Sequence, residues 1–195
     1  AVLRQNLVFM EDIEISTVCD LSPARMETAR ALIAEHMHTE PAMTTDYHDI
    51  LNDPTIDAVF IMTGWSGRPE MAMEAMRAGK YTGIEVGCAD NLQLCYDLVK
   101  TYEETGVPVM MLENCCYGRR EMMALNMVKQ GLFGEILHTE GAYIHSLDHS
   151  MRRTDRTWRV DHLRKFRGDA YPTHGLGPLC LVLDIHRGDR FTTLI

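Results

Sequence analysis

Blocks of apolar residues with the length of single strands recur along the first 113 positions. Two of them are apolar runs, at 57–63 (DAVFIMT) and 107–112 (VPVMML), and a third strand-length segment covers 81–86. Continuous runs of this kind are typical of parallel strands that are buried on both faces. A fourth β-rich segment, 13–20, ends in a lone acid. The pattern therefore predicts at least four strands in this part of the chain.

Helical signals separate these strands. Ser22 and Pro23 have the residue types of an N-cap and a first helical turn, and Gly79 and Gly106 have those of helix ends. The predicted helices cover 1–12, 23 to about 36, a short stretch near 47–51, 69–78 and 91–105. Alternating strands and helices with short links predict an α/β, doubly wound parallel sheet of Rossmann type.

The pattern changes after residue 113. A helix is predicted at 119–130, an alternating strand at 135–145, a basic loop over a polar ligand at 146–170, a helix at 173–185 and a strand at 190–195. We expect 1–113 to be a partial dinucleotide-binding domain, whose first strand and glycine-rich turn lie upstream of Ala1. Residues 114–195 would then begin an α+β substrate domain with an open sheet.

Composition narrows the classes of partner. The formal net charge of −9 disfavours nucleic acid, and no apolar run is long enough to cross a membrane. The six cysteines form no CxxC pair, so free, buried thiols are expected rather than disulfides or a zinc site. No leader is visible, although residue 1 does not resemble a natural start, so the compartment is either cytoplasmic or exported.

Polar residues follow each predicted strand at the edge where α/β sheets bind ligands. Asp20 can accept hydrogen bonds from a ribose and repel a 2′-phosphate, which favours NAD over NADP; its alternative role is a turn or capping aspartate. Trp65 follows the 57–63 strand and would cover a cofactor, unless it only packs a surface turn. Glu85-Val86-Gly87 and Glu113-Asn114 end the next two strands.

A second group of polar side chains lies after residue 140. Tyr143 and His174 can act as acid or base when their surroundings shift the pKa, and Arg159 and Tyr171 can hold sugar oxygens. Each of these residues has a structural alternative. His145 and His149 are four apart, but they follow a strand-like segment, so no metal site is predicted.

The segment VFIMTGWSGRPEMAMEAMRAGKYTGIEV, 59–86, resembles the Gfo/Idh/MocA oxidoreductases, which bind NAD(P) in an N-terminal Rossmann domain. Ordinary members carry Glu-Lys-Pro where this chain has Glu85-Val86-Gly87. The lysine that assists hydride transfer in many of those dehydrogenases is therefore absent.

Residues 111–145 and 168–191 resemble glycoside hydrolase family 109, the NAD-dependent α-N-acetylgalactosaminidases, most specifically in the tract YPTHGLGP, 171–178. The resemblance implies NAD contacts at Asp20, Trp65, Ser66, Gly67, Arg68, Glu85, Val86 and Asn114. It implies sugar contacts at Tyr143, Arg159, Tyr171, Pro172, Thr173 and His174. Three departures lie near this site. The tract after the third strand, usually aromatic and ending in His, is Trp65-Ser66-Gly67-Arg68 here; the segment between His149 and Tyr171 is shorter; and Gly87 replaces the usual proline.

The activity implied by the resemblance is glycoside cleavage with an internal redox cycle. The sugar is oxidised at carbon 3, loses its carbon-2 proton and its anomeric group, adds water and is reduced again. Tyr143 would be the carbon-2 base and His174 would take the proton of the carbon-3 hydroxyl. The alternatives are a net sugar dehydrogenase and a non-catalytic sensor of dinucleotide or sugar. Any homo-oligomer would form through the sheet of the second domain.

Overall fold

The computed structural model describes residues 2–87, 89–146, 148, 152, 158–165, 171–193 and 195, with only the backbone of 158 and 159. The strands are β1 (Thr17–Cys19), β2 (Ala42–Thr44), β3 (Ala58–Ile61), β4 (Tyr81–Ile84) and β5 (Val109–Met111). The helices are α1 (Val2–Gln5), α2 (Pro23–Met37), α3 (His48–Asn52), α4 (Arg68–Arg77), α5 (Leu92–Thr105), α6 (Arg119–Lys129), α7 (Trp158–Lys165) and α8 (Pro172–Val182). Two 3₁₀ turns lie at Leu7–Phe9 and Asn114–Cys116.

All strand pairs are parallel, which confirms the predicted fold class. β1 pairs with β2, and β3, β4 and β5 form a second sheet in that order. A doubly wound sheet has the strand order 3-2-1-4-5-6. β1 and β2 match the neighbouring strands at one side of that order, and β3, β4 and β5 match the neighbouring strands at the other side.

One face of the β3–β5 sheet carries the core. Ile61 and Ile84 pack there against Met73 and Met76 of α4 and against Leu98 of α5. The alternation along the strands sends Phe60, Tyr81 and Met110 to the opposite face, where each is about half exposed. Strands β3, β4 and β5 therefore have one face buried by described residues and the opposite face exposed.

Helix ends follow the local sequence signals. Ser22 is the N-cap of α2, and the Asn91 side chain accepts a hydrogen bond from the backbone N–H of Leu94 at the start of α5. Gly106 ends α5 in the left-handed conformation, with φ of 66°. These predictions are confirmed to within two residues.

Several sequence predictions are wrong. The single helix predicted for 1–12 is α1 followed by a 3₁₀ turn, because Asn6 leaves the helical region with φ of −134°. Neither 135–145 nor the described part of 190–195 forms a strand, since no described strand pairs with them; only an isolated bridge joins Ile185 and Asp189. The predicted loop over 146–170 contains α7, which buries Val160. β2 was missed.

The described cysteines are free, but of these predicted buried thiols only Cys116 is buried; Cys19, Cys115 and Cys180 are half-buried and Cys95 is exposed. Among the described helices, none combines the length and the apolar character that a membrane span requires.

Met76 is the most informative position for testing the core, because it is fully buried between α4 and the sheet. Met76→Ala should lower the free energy of unfolding by about 2–5 kcal/mol, since it leaves a cavity. Urea unfolding followed by circular dichroism measures the change. The control is Met123→Ala on the exposed face of α6, which should leave stability nearly unchanged. Equal losses in the two variants would contradict this placement of the core.

Candidate active site

A buried hydrogen bond between a carboxylate and a histidine lies at the carboxyl end of β5. Glu113 follows that strand, and its Oε1 lies 2.6 Å from Nδ1 of His174 in the first turn of α8. Both side chains are about 5% exposed. The two residues are 61 positions apart, so this contact joins the end of the sheet to the helix of the YPTHGLGP tract.

The electrostatic surroundings of Glu113 keep its carboxyl ionised. Burial alone would raise its pKa, but the hydrogen bonds from His174 and the backbone N–H of Cys115, together with the nearby Thr173 hydroxyl, outweigh it and place the pKa of Glu113 below its ordinary value. An ionised carboxylate only accepts hydrogen bonds, so Nδ1 of His174 must be the donor. The other ring nitrogen, Nε2, is then left to accept a proton.

Glycines let α8 approach this carboxylate closely. A Cβ at Gly177 would lie 2.7 Å from the Cys116 sulfur and 3.3 Å from Cγ of Glu113. A Cβ at Gly141 would lie 2.7 Å from the carbonyl oxygen of Gly175. Gly141 and Gly177 therefore have a packing reason, because a larger residue at either position would push α8, and His174 with it, away from its present place.

Aromatic rings surround His174. Its ring stacks on Tyr171 at 4.9 Å with an interplanar angle of 9°, and the Tyr143 ring centroid is 4.3 Å away. Trp65 meets Tyr171 edge to face at 5.3 Å and His162 at 4.5 Å. The structure thus brings together Tyr143, Tyr171 and His174, three of the residues predicted to bind sugar.

The other predicted sugar contacts are less defined. Pro172 is exposed and Thr173 is half-buried at the start of α8. For Arg159 only the backbone is described, at the start of α7, so its sugar contact stays a prediction. Of the histidine pair considered for a metal, His145 lies 4.4 Å from Tyr143 by ring centroids, and His149 lies outside the described residues.

The predicted cofactor residues line the carboxyl ends of the strands. Asp20 follows β1, where one carboxylate oxygen accepts from the N–H of Ser22 and the other lies 3.9 Å from Arg25. Thr63 and Ser66 are exposed after β3, Glu85 is half-buried after β4 and Asn114 is exposed after β5. Asp20, Ser66, Glu85 and Asn114 could therefore contact a bound dinucleotide at the edge where doubly wound sheets bind ligands, and these contacts stay predictions.

Three of the predicted cofactor residues, Trp65, Arg68 and Val86, are buried instead of open to a ligand. Trp65 is 5% exposed, and its indole N–H donates to the Val86 carbonyl. Arg68 is 1% exposed and donates to the carbonyls of Thr63, Glu85 and Val86. In this conformation Trp65 packs against the second part of the chain rather than lying over an open cofactor surface.

Ligand atoms of Glu113, Cys115 and His174 all lie within 4.8 Å of one another, which is close enough for a metal ion. The carboxylate already accepts hydrogen bonds from the other two residues. Burial and the Glu113 charge raise the pKa of the Cys115 thiol and keep it protonated, and metals bind the thiolate. A hydrogen-bonded acid–histidine pair is the better description of this group.

The sequence alone placed Glu113 at the rim of the sheet but gave it no pairing with His174. An acid directly after a buried strand was the available signal. Its pairing with His174 depends on a contact between distant segments, which no local pattern encodes.

Comparisons with known proteins agree with this geometry. Residues 4–113 match the family described as "Oxidoreductase family, NAD-binding Rossmann fold", and residues 117–195 match "Glycosyl hydrolase 109, C-terminal domain". The chain is 44% identical over 192 residues to a glycosyl hydrolase family 109 protein of Shewanella sp. (strain ANA-3), covering 95% of this chain and 42% of that protein. It is 42% identical over 186 residues to one from Phocaeicola vulgatus, covering 93% of this chain and 40% of that protein.

Solved structures show the same fold. The myo-inositol 2-dehydrogenase from Lactobacillus plantarum superimposes with a TM-score of 0.58 at 21% identity, over 69% of this chain and 38% of that one. An oxidoreductase from Bacillus cereus superimposes with a TM-score of 0.58 at 26% identity, over 66% of this chain and 35% of that one.

Replacing Asp20 should change the choice between NAD and NADP. In Asp20→Ser the repulsion of a 2′-phosphate disappears while Arg25 remains beside the site, so the ratio of the dissociation constants of NADP and NAD should fall by at least about tenfold. Calorimetric titration measures both constants. Glu27→Gln, which removes an exposed charge elsewhere on α2, is the matched control. An unchanged ratio in Asp20→Ser would place the ribose elsewhere.

The lowered pKa of Glu113 predicts how stability depends on pH. The ionised Glu113 carboxyl stabilises the folded state. This stabilisation is fully present above the pKa of an unfolded glutamate, about 4.3, and is lost as the pH falls through the lower pKa of Glu113 in the folded state. The stability gap between the native protein and Glu113→Gln should therefore shrink below about pH 4.3. Urea unfolding of both proteins from pH 3 to 7 tests this, and a gap independent of pH would contradict it.

The chain spans about two fifths of the length of the curated relatives that it matches. The family match confirms NAD as the cofactor, since the matched domain is the NAD-binding Rossmann fold. Its two matches together cover nearly all of the sequence: residues 117–195 are similar to the glycosyl hydrolase 109 C-terminal domain, and the chain belongs to the Gfo/Idh/MocA oxidoreductase family.

Proposed function

We propose that the full protein is an NAD-dependent glycosidase that cleaves α-N-acetylgalactosaminides through transient oxidation at carbon 3 of the sugar. The observation that carries the proposal is the buried Glu113–His174 pair beside Tyr143 and Tyr171, at the sheet edge where doubly wound folds bind ligands. In this arrangement a proton acceptor, His174, and a phenol, Tyr143, have rings in direct contact.

NAD, when bound, would supply the acceptor and donor of hydride at carbon 3. Asp20, Glu85 and Asn114 would hold it at the strand ends. His174 would take the proton of the carbon-3 hydroxyl on Nε2, because Nδ1 is held as a donor by Glu113. The nearby carboxylate stabilises the imidazolium that forms, and burial keeps water away from it.

Tyr143 would remove the carbon-2 proton. Oxidation at carbon 3 makes that proton acidic, and the Tyr143 ring lies 4.3 Å from the His174 ring, beside the proposed site of carbon 3. The stacked Tyr171 offers its edge and hydroxyl to the sugar, and Arg159 would hold sugar oxygens. Loss of the carbon-2 proton would then expel the anomeric group and leave a double bond between carbons 1 and 2, to which water would add at carbon 1 with a proton returning to carbon 2. The bound cofactor would supply the hydride that restores carbon 3.

The decisive experiment uses the full-length protein purified without added cofactor. It is mixed with para-nitrophenyl α-N-acetylgalactosaminide, and nitrophenol release and NADH absorbance are recorded together. Release of nitrophenol without net NADH would support the internal redox cycle. No release, together with NADH formation from NAD and free sugars, would make the protein a net sugar dehydrogenase.

Tyr143→Phe tests the assignment of the carbon-2 base. The loss of the phenol should lower kcat for nitrophenol release by about 10²–10⁴-fold, because general base catalysis typically contributes that factor. Exchange of the carbon-2 proton with deuterated solvent should fall in parallel. Tyr96→Phe, on the exposed face of α5, is the control and should retain full activity. Full activity in Tyr143→Phe would remove the residue from this role.

A further inference from the structure

Arg68 ties together the carboxyl ends of two neighbouring strands. Its guanidinium donates to the Thr63 carbonyl after β3, and its NH1 lies 2.8 Å from the Glu85 carbonyl and 2.6 Å from the Val86 carbonyl after β4. Arginine spreads five N–H donors over a rigid planar fork, whereas lysine carries its three donors on a single nitrogen and histidine has at most two. The geometry of this strand-end loop therefore depends on an arginine at position 68.

Trp65 depends on the same carbonyl. Its Nε1 lies 3.1 Å from the Val86 oxygen, which also accepts from Arg68. The indole then extends to the rings of His162 and Tyr171. Since Tyr171 stacks on His174, the position of Trp65 bears on the position of the proposed proton acceptor.

Gly87 gives Trp65 its space. The residue has φ of 78°, and an added Cβ would lie 2.4 Å from Nε1 of Trp65. A proline cannot adopt this backbone, because its ring fixes φ near −65°. Arg68 and Gly87, which lie at two of the places where the chain departs from the family pattern, therefore meet at one indole ring.

We propose that Arg68 and Gly87 are coupled positioning residues, which together hold Trp65 against Tyr171 and so align the Tyr171–His174 pair with the nicotinamide half of the cofactor site. The inference rests on the proposed function for its catalytic consequence, although the placement of Trp65 can be tested without it. Arg68 and Gly87 would then have one joint role, rather than being two separate changes in the pocket.

The chain contains a matched control for the loss of a buried cation. Lys80 is 5% exposed and donates to the carbonyls of Asp53 and Ile56 at the amino end of β4, the opposite end of the strand from Arg68. Removing either cation frees backbone carbonyls and destabilises the domain. Only the loss of Arg68 should disturb Trp65.

The experiment compares Arg68→Lys, Gly87→Ala, the double variant and Lys80→Met in the full-length protein. Four properties are measured: the melting temperature, the near-ultraviolet circular dichroism of tryptophan, the dissociation constant for NAD, and kcat. Subtracting the spectrum of Trp65→Phe isolates the contribution of Trp65. All variants should melt below the native protein.

Arg68→Lys and Gly87→Ala should lose the Trp65 signal and, in the active enzyme, about 10²-fold in kcat, as expected for small misplacements of a reacting group. NAD affinity should change far less than kcat. Lys80→Met should keep both the Trp65 signal and kcat. The double variant should lose no more kcat than the worse single variant, because both substitutions release the same ring.

Retention of the Trp65 signal and of kcat in the two single variants would overturn the proposal, as would losses of kcat that multiply in the double variant. If Arg68→Lys does not fold, Gly87→Ala and its spectrum decide the question. A native protein that releases no nitrophenol contradicts the proposed function, while the Trp65 spectra still decide between a positioning role and a purely structural one.

Discussion

The hydrogen bond between Glu113 and His174 is the contact on which the site depends. It joins the last described strand of the sheet to α8, and the glycines at 141, 175 and 177 are explained by the close approach that it requires. Ionised Glu113 also determines which nitrogen of His174 carries a proton. One buried contact thus sets both the distance between the two parts of the chain and the chemistry at their junction.

Sequence patterns predicted the elements whose stability comes from local signals. Strands β3, β4 and β5 and the capped helices α2, α4 and α5 lie close to their predicted positions, because burial and capping leave a mark on neighbouring residues. β2 was missed because its three residues are mostly exposed, and 135–145 was overpredicted because an alternating segment becomes a strand only when another strand pairs with it.

The candidate site divides in the same way. Tyr143, Tyr171 and His174 were found through a motif, and the structure brings their rings together, but their roles remain predictions. Glu113, Arg68 and Gly87 act through contacts with residues far along the chain, and no local pattern shows which carbonyl or ring a side chain will meet. Trp65 illustrates the limit: its position after a strand suggested a cofactor cover, whereas it lies buried between the two parts of the chain.

The face of the β3–β5 sheet opposite α4 and α5 affects how the chain behaves before folding is finished. Phe60, Tyr81 and Met110 are exposed there, and β3 is an edge strand of the described sheet. Its segment DAVFIMT combines apolar, β-branched residues with no proline, which is the composition of aggregation-prone strands. Changes that delay the covering of this face would therefore appear first as insoluble protein rather than as a slower enzyme.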